Sequence, residues 1–141
     1  MNEHSWRELV GEERAVGFDQ VAIGVASSDT MGELATAPKD LERYRKDGFE
    51  ITSSAMVDRV TAVIDKIEES ETMKFKDWVI PGGSLPSAAL DLARTTCRRA
   101  ERRVAALVND DRNFNIEILR YLNRLSDLCW LLARKLEQPQ D

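Results

Sequence analysis

Apolar residues recur every three or four positions through most of this chain, the repeat of helices that each bury one stripe. Val57, Val60, Ile64 and Ile67 form one stripe, with Ser53 or Ser54 able to cap its start and Glu68, Glu69 and Glu71 near its end. Leu90, Ala93, Cys97, Ala100, Val104 and Leu107 form a second, behind Ser84 as N-cap and with Pro86 tolerated in the first turn. A third runs through Ile118, Leu122, Leu125, Cys129, Leu132 and Leu136, capped by Asn113 or Asn115 and stopped at Pro139. From Asp19 to about Leu34 the pattern is weaker, because Val21, Val25 and Met31 are interrupted by Gly24 and Gly32. Residues 36–52, with Pro38, Gly48 and mixed charges, read as a mobile surface connection with one helical turn around Leu41 to Arg45. Strand alternation is not sustained anywhere, so the pattern predicts an all-α antiparallel helical bundle of four to five helices. It forms a single domain over 1–141, with 1–17 a mobile N-terminus and 36–52 a connecting loop.

Composition narrows the chemistry. The 141 residues are 43% apolar and 32% charged, an ordinary soluble balance. A single histidine, His4, argues against a Ser-His-Asp or Cys-His triad and against a histidine metal site, so no protein-held metal is expected. Cys97 and Cys129 lack C-x-x-C spacing and read as small buried residues on neighbouring helices, in a reducing compartment. No apolar run approaches the roughly 20 residues that span a bilayer, and residues 1 to 15 do not read as a signal peptide. A cytoplasmic location without membrane contact is therefore expected.

The net charge of -5 hides an asymmetry. Residues 1–89 carry 10 Lys and Arg against 17 Asp and Glu, whereas residues 90–136 carry 10 against 6. Arg94, Arg98, Arg99, Arg102 and Arg103 lie within ten residues of one helix, and Arg94, Arg98, Glu101 and Arg102 share a face. Arginine forks match phosphate oxygens, so the stripe suits a polyphosphate; nucleic acid, an acidic partner or a solvated face laced with ion pairs are the other readings. Asn123 stands mid-helix beside an apolar seam, where its amide either bonds a neighbouring helix or recognises a ligand edge. Trp78 precedes the turn Pro81-Gly82-Gly83 and is either a plug on the bundle or an aromatic wall for a flat ligand; Trp130 reads as core.

Three blocks carry a more specific signal: Trp78-Val79-Ile80-Pro81-Gly82-Gly83-Ser84, then Ala93 to Arg103 (ARTTCRRAERR), then Tyr121 to Asp127 (YLNRLSD). Together they resemble the PduO-type ATP:cob(I)alamin adenosyltransferases, closely over 78–134 and more loosely at Gly32 to Thr36 and the helix from Ser54. The resemblance implies a trimeric helical bundle that binds ATP with Mg2+ between subunits. A cobalt(I) corrinoid then attacks the ribose 5′ carbon, giving adenosylcobalamin and triphosphate. It further implies that Arg98 contacts the polyphosphate beside Glu101 and Arg102, and that Asn123 lines the nucleotide site. Arg98 and Asn123 are the implied catalytic pair, and Arg94 the intersubunit ion-pairing arginine. Trp78 stands where the family places a phenylalanine that shields the lower corrin face. Nucleic acid is not an implied partner, whereas an adenosylcobalamin-dependent enzyme is.

One departure stands out. The family's N-terminal Gly-Asp-x-Gly-x-Thr segment, which wraps the triphosphate, is not recognisable in Met1 to Gly17, nor is the acidic residue that pairs with the arginine at position 94; Glu8, Glu12 or Glu13 are the candidates for that acid. A catalytically degenerate member that binds corrinoid, ATP or a partner protein is accordingly the second reading.

Overall fold

A computed structural model describes residues 26–69, 78–111 and 113–138. All of its regular elements are helical, and the chain divides after Thr52 into two compact units. The first expected helix is described only from residue 26, so Val21, Gly24 and Val25 lie outside the described residues, as do the N-terminus through Gly17, the acids Glu8, Glu12 and Glu13, Glu71 and Pro139.

In the first unit, helix α1 covers 26–34 among the described residues. A 3-10 turn over Pro38–Asp40 and helix α2, Leu41–Lys46, then follow. The segment 36–52, expected as a surface connection with one helical turn around Leu41 to Arg45, has that turn in α2 and is anchored at its end. Thr52 is buried, its N–H donates to Glu33 Oε2 at 2.7 Å, and its hydroxyl lies 2.9 Å from that of Thr30. Tyr44 stacks on Phe49 with centroids 4.8 Å apart, and its hydroxyl abuts Gly32, where any Cβ would collide. Gly32 and Glu33 thus serve close packing and backbone satisfaction, which the periodicity could not show.

The second unit contains three longer helices: α3, Ser54–Glu69; α4, Leu85–Asp110; and α5, Ile116–Glu137. Ser84 caps α4 in a reciprocal box with Ser87, and Pro86 sits in the first turn, where its missing N–H leaves no bond unmade. Of the two asparagines proposed for α5, Asn115 is the cap: its side chain accepts from the Glu117 N–H at 3.1 Å. Asp91 meets Arg134 and Glu101 meets Asn123, so partner numbers rise on α4 as they fall on α5 and the pair is antiparallel.

Helix α5 packs against both α3 and α4. Ile118, Leu122 and Cys129 of the expected stripe are buried, but so are Tyr121, Leu128, Leu131 and Ala133, a second stripe set by the second neighbour. Helix α4 has the opposite character. Only Ser87 and Val104 are fully buried along its 26 residues, and Leu85, Leu92 and Leu107 are exposed. Its regular seam is therefore only partly covered by α5.

These environments separate two truncations. Ile118→Ala, at a fully buried site between helices, should lower unfolding free energy by about 2 to 5 kcal/mol. Leu107→Ala, at a site 48% exposed, should cost under about 1 kcal/mol. Urea midpoints of the two variants check the difference.

Candidate functional site

Helical spacing of four sets Arg94, Arg98 and Arg102 in a row along α4, with Arg99 and Arg103 one position on. Among the described residues, none of these five guanidinium groups has a carboxylate within ion-pairing distance. A face laced with ion pairs is thus not what the helix presents. Glu101, the acid nearest in sequence, is engaged elsewhere: Asn123 of α5 donates from Nδ2 to Glu101 Oε1 at 2.9 Å. Of the two readings of Asn123, the bond to a neighbouring helix is realised. Arg98, Arg102 and Asn123 are exposed, whereas Glu101 and Arg94 are half-buried. The result is a row of uncompensated cations beside an exposed amide and carboxylate, with the fork geometry to bind a multiply charged anion.

Arg94 also lines a cleft of about 430 Å³ with Ile64, Asp65 and Glu68 of α3 and Arg124, Asp127, Trp130 and Leu131 of α5. Arg124 pairs with Asp127 at 3.5 Å, one turn apart on an exposed surface, a pair of small energetic weight. Trp130, expected in the core, is instead a half-buried wall of this cleft. A third neighbouring helix would be needed to enclose a ring of that size.

The segment carrying Trp78 is fixed from behind. Gly82 has φ +93°, a left-handed conformation that suits glycine, and its N–H donates to Asp91 Oδ2 at 3.2 Å. The Gly83 N–H donates to Glu137 Oε1 at 3.0 Å. Both carboxylates are held by Arg134, which is 2% exposed and donates from Nη2 to Asp91 at 2.6 Å and to Glu137 at 3.3 Å. Its Nε lies 3.1 Å from the other Glu137 oxygen, close enough for attraction though misaligned for a hydrogen bond. Sequence reasoning singled out none of these three residues. The signal available was an arginine in the apolar run Leu131-Leu132-Ala133-Arg134. Trp78 itself is 98% exposed, so it is not a plug on its own chain; the residues just before it, Phe75 to Asp77, lie outside the described residues.

The Cys97 and Cys129 thiols face each other across α4 and α5. The neighbouring Cys129 thiol lowers the Cys97 pKa to about 7, against burial and the charge of Glu101, which raise it. Cys97 and burial together push Cys129 strongly upward. Cys129 is buried as expected, whereas Cys97 is only half-buried because α4 is covered on one side.

The fold is that of a helical-bundle protein with an arginine row on one helix, and comparisons specify the family. Residues 21–136 match the family model described as cobalamin adenosyltransferase. A corrinoid adenosyltransferase of Mycobacterium tuberculosis (strain ATCC 25618 / H37Rv) is 51% identical over 132 residues, covering 89% of this chain and 67% of the relative. One from Bacillus subtilis (strain 168) is 46% identical over 65 residues, 46% of this chain and 33% of the relative. A solved structure of a variant PduO-type ATP:corrinoid adenosyltransferase from Lactobacillus reuteri, complexed with cobalamin and ATP, superposes with a TM-score of 0.69 at 26% identity, covering 97% of this chain and 75% of that one. The chain belongs to the cobalamin adenosyltransferase family.

The thiol pair gives a direct test. A thiol with a lowered pKa is deprotonated over more of the pH range, so the iodoacetamide rate at Cys97 should reach half its maximum near pH 7, not near 9. Cys129→Ala removes the neighbouring thiol and should move that midpoint upward, as followed by mass spectrometry from pH 6 to 10.

Proposed function

We propose that this chain binds ATP and a reduced corrinoid and transfers the 5′-deoxyadenosyl group to cobalt, releasing triphosphate. The observation that carries the reading is the row of guanidinium groups on α4 with no carboxylate partner among the described residues, beside the Glu101–Asn123 pair. As substrate, the corrinoid brings a reduced cobalt nucleophile; the C5′–O bond to triphosphate breaks as the cobalt–carbon bond forms. No histidine base is required.

Arg98 and Arg102 hold the polyphosphate and stabilise the charge that gathers on it as it leaves. Glu101 and Asn123 offer an acceptor and an amide for the nucleoside, which orients C5′. Trp78 presents a flat apolar face to the corrin ring, excluding water and favouring loss of the lower axial ligand. Mg2+ would come with the triphosphate and, beside Arg98 and Arg102, would help neutralise its charge.

A trimer is part of the same reading. Arg94 is half-buried with no acidic partner among the described residues, and Leu85, Leu92 and Leu107 line an uncovered side of α4. A neighbouring subunit supplies both an acid and an apolar face. No helix among the described residues is long and apolar enough to cross a membrane, and the free thiols suit a cytoplasmic setting that holds adenosylcobalamin-dependent enzymes.

Mixing the protein with ATP, Mg2+ and reduced corrinoid and following adenosylcobalamin by absorbance tests the activity; binding of both substrates without product would establish the degenerate reading instead. Arg98→Ala should weaken ATP binding by about 1.5 to 3 kcal/mol in calorimetry while leaving the melting temperature nearly unchanged, since the residue is exposed. Sedimentation should give a trimer that dissociates at higher concentrations in Arg94→Ala than in the unmodified chain; a concentration-independent monomer would remove the shared site.

A further inference from the structure

Arg134 does not contact the arginine row, yet it is the most deeply buried of the described charged side chains. Burying a guanidinium carries a large desolvation penalty, offset only when its donors are matched by acceptors. Here the acceptors do double duty. Asp91 Oδ2 takes the Arg134 bond and the Gly82 N–H, while Glu137 Oε1 takes the Arg134 bond and the Gly83 N–H. The two carboxylates belong to different helices and would repel each other without the cation between them.

Both glycines suit this arrangement. Gly82 holds its positive φ, and a Cβ at Gly83 would come within 3.1 Å of Glu137 Oε1 and 3.2 Å of its Cδ, so the carboxylate would have to shift by a few tenths of an ångström. The segment thus fastened carries Trp78 at 98% exposure and Ile80 at 86%, so the anchor supports apolar groups that bury almost nothing in their own chain. An apolar surface anchored in water points to an external apolar partner. Arg134 also lies 6.0 Å over the Trp130 ring, a wall of the cleft that includes Arg94, so one side chain supports the aromatic segment and a cleft wall together.

We propose that Arg134, acting through Asp91 and Glu137, is the positioning residue that fixes the Trp78–Gly83 segment against the corrinoid, and that it governs the corrinoid half of the reaction without governing ATP binding. The inference rests on the adenosyl-transfer reading and adds the residues that set the geometry of its apolar face.

The test uses the full chain with Asp91→Ala, Gly83→Ala and Glu137→Gln, because Arg134→Ala leaves two half-buried carboxylates without their shared cation and can simply fail to fold. Three quantities are measured: exchange of the Gly82 and Gly83 amide hydrogens by NMR (Gly82 alone in Gly83→Ala), ATP affinity by calorimetry, and kcat with KM for corrinoid alongside the absorbance spectrum of bound cob(II)alamin. In Asp91→Ala and Gly83→Ala, loop amide exchange should accelerate at least tenfold and kcat should fall at least tenfold. The bound corrinoid should lose the spectrum of a departed lower ligand, while ATP affinity stays within twofold. Glu137→Gln keeps an acceptor for the Gly83 N–H and should retain most of the activity. Unchanged kcat and spectrum in both disrupting variants would overturn the anchor while leaving the functional reading intact. An ATP affinity that falls in step with kcat would show a merely structural role and overturn it as well. Failure of the unmodified chain to bind corrinoid would overturn the functional reading, and with it the purpose assigned to the segment.

Discussion

Helix α5 must be covered on two sides, and the arrangement of the second unit follows from that requirement. Its residues Ile118, Tyr121, Leu122, Leu128, Cys129, Leu131 and Ala133 are all buried, more than one flanking helix can cover. Helices α3 and α4 therefore both pack on α5. With its apolar contacts confined to one flank, α4 leaves Leu92 and Leu107 in water and presents Arg98, Arg99, Arg102 and Arg103 outward.

Polar links on the same helix pair then set the site in place. From the turn between the helices toward their far end come the bonds of Asn123 to Glu101 and of Arg134 to Asp91. Each bond is directional where apolar packing is not, so together they fix register along the pair. Ten residues at about 1.5 Å separate Asp91 from Glu101, so the clamp on the Trp78 segment and the amide–carboxylate pair lie about 15 Å apart along one rod.

The absence of ion pairs on the arginine row bears on electrostatics. Five cations within ten residues repel one another, and none of them forms an ion pair among the described residues. That repulsion lowers the stability of the helix itself.

The chain's own order of residues determined the helices. Ser84 and Asn115 mark real caps, the three-four spacing marks real helices, and Glu101 and Asn123 meet across two of them. These are local or periodic properties, written within a few turns of one helix. Tertiary structure alone decided the rest. Residues 36–52 read as a loose connection because the Thr52–Glu33 bond joins positions 19 residues apart, and Trp130 read as core because periodicity cannot say which stripe faces a cleft. Arg134 meets Asp91 across 43 residues, and Gly83 meets Glu137 across 54. No spacing rule reaches that far, because a buried charge finds its partner through the packing of two helices, and that packing exists only once the chain has folded.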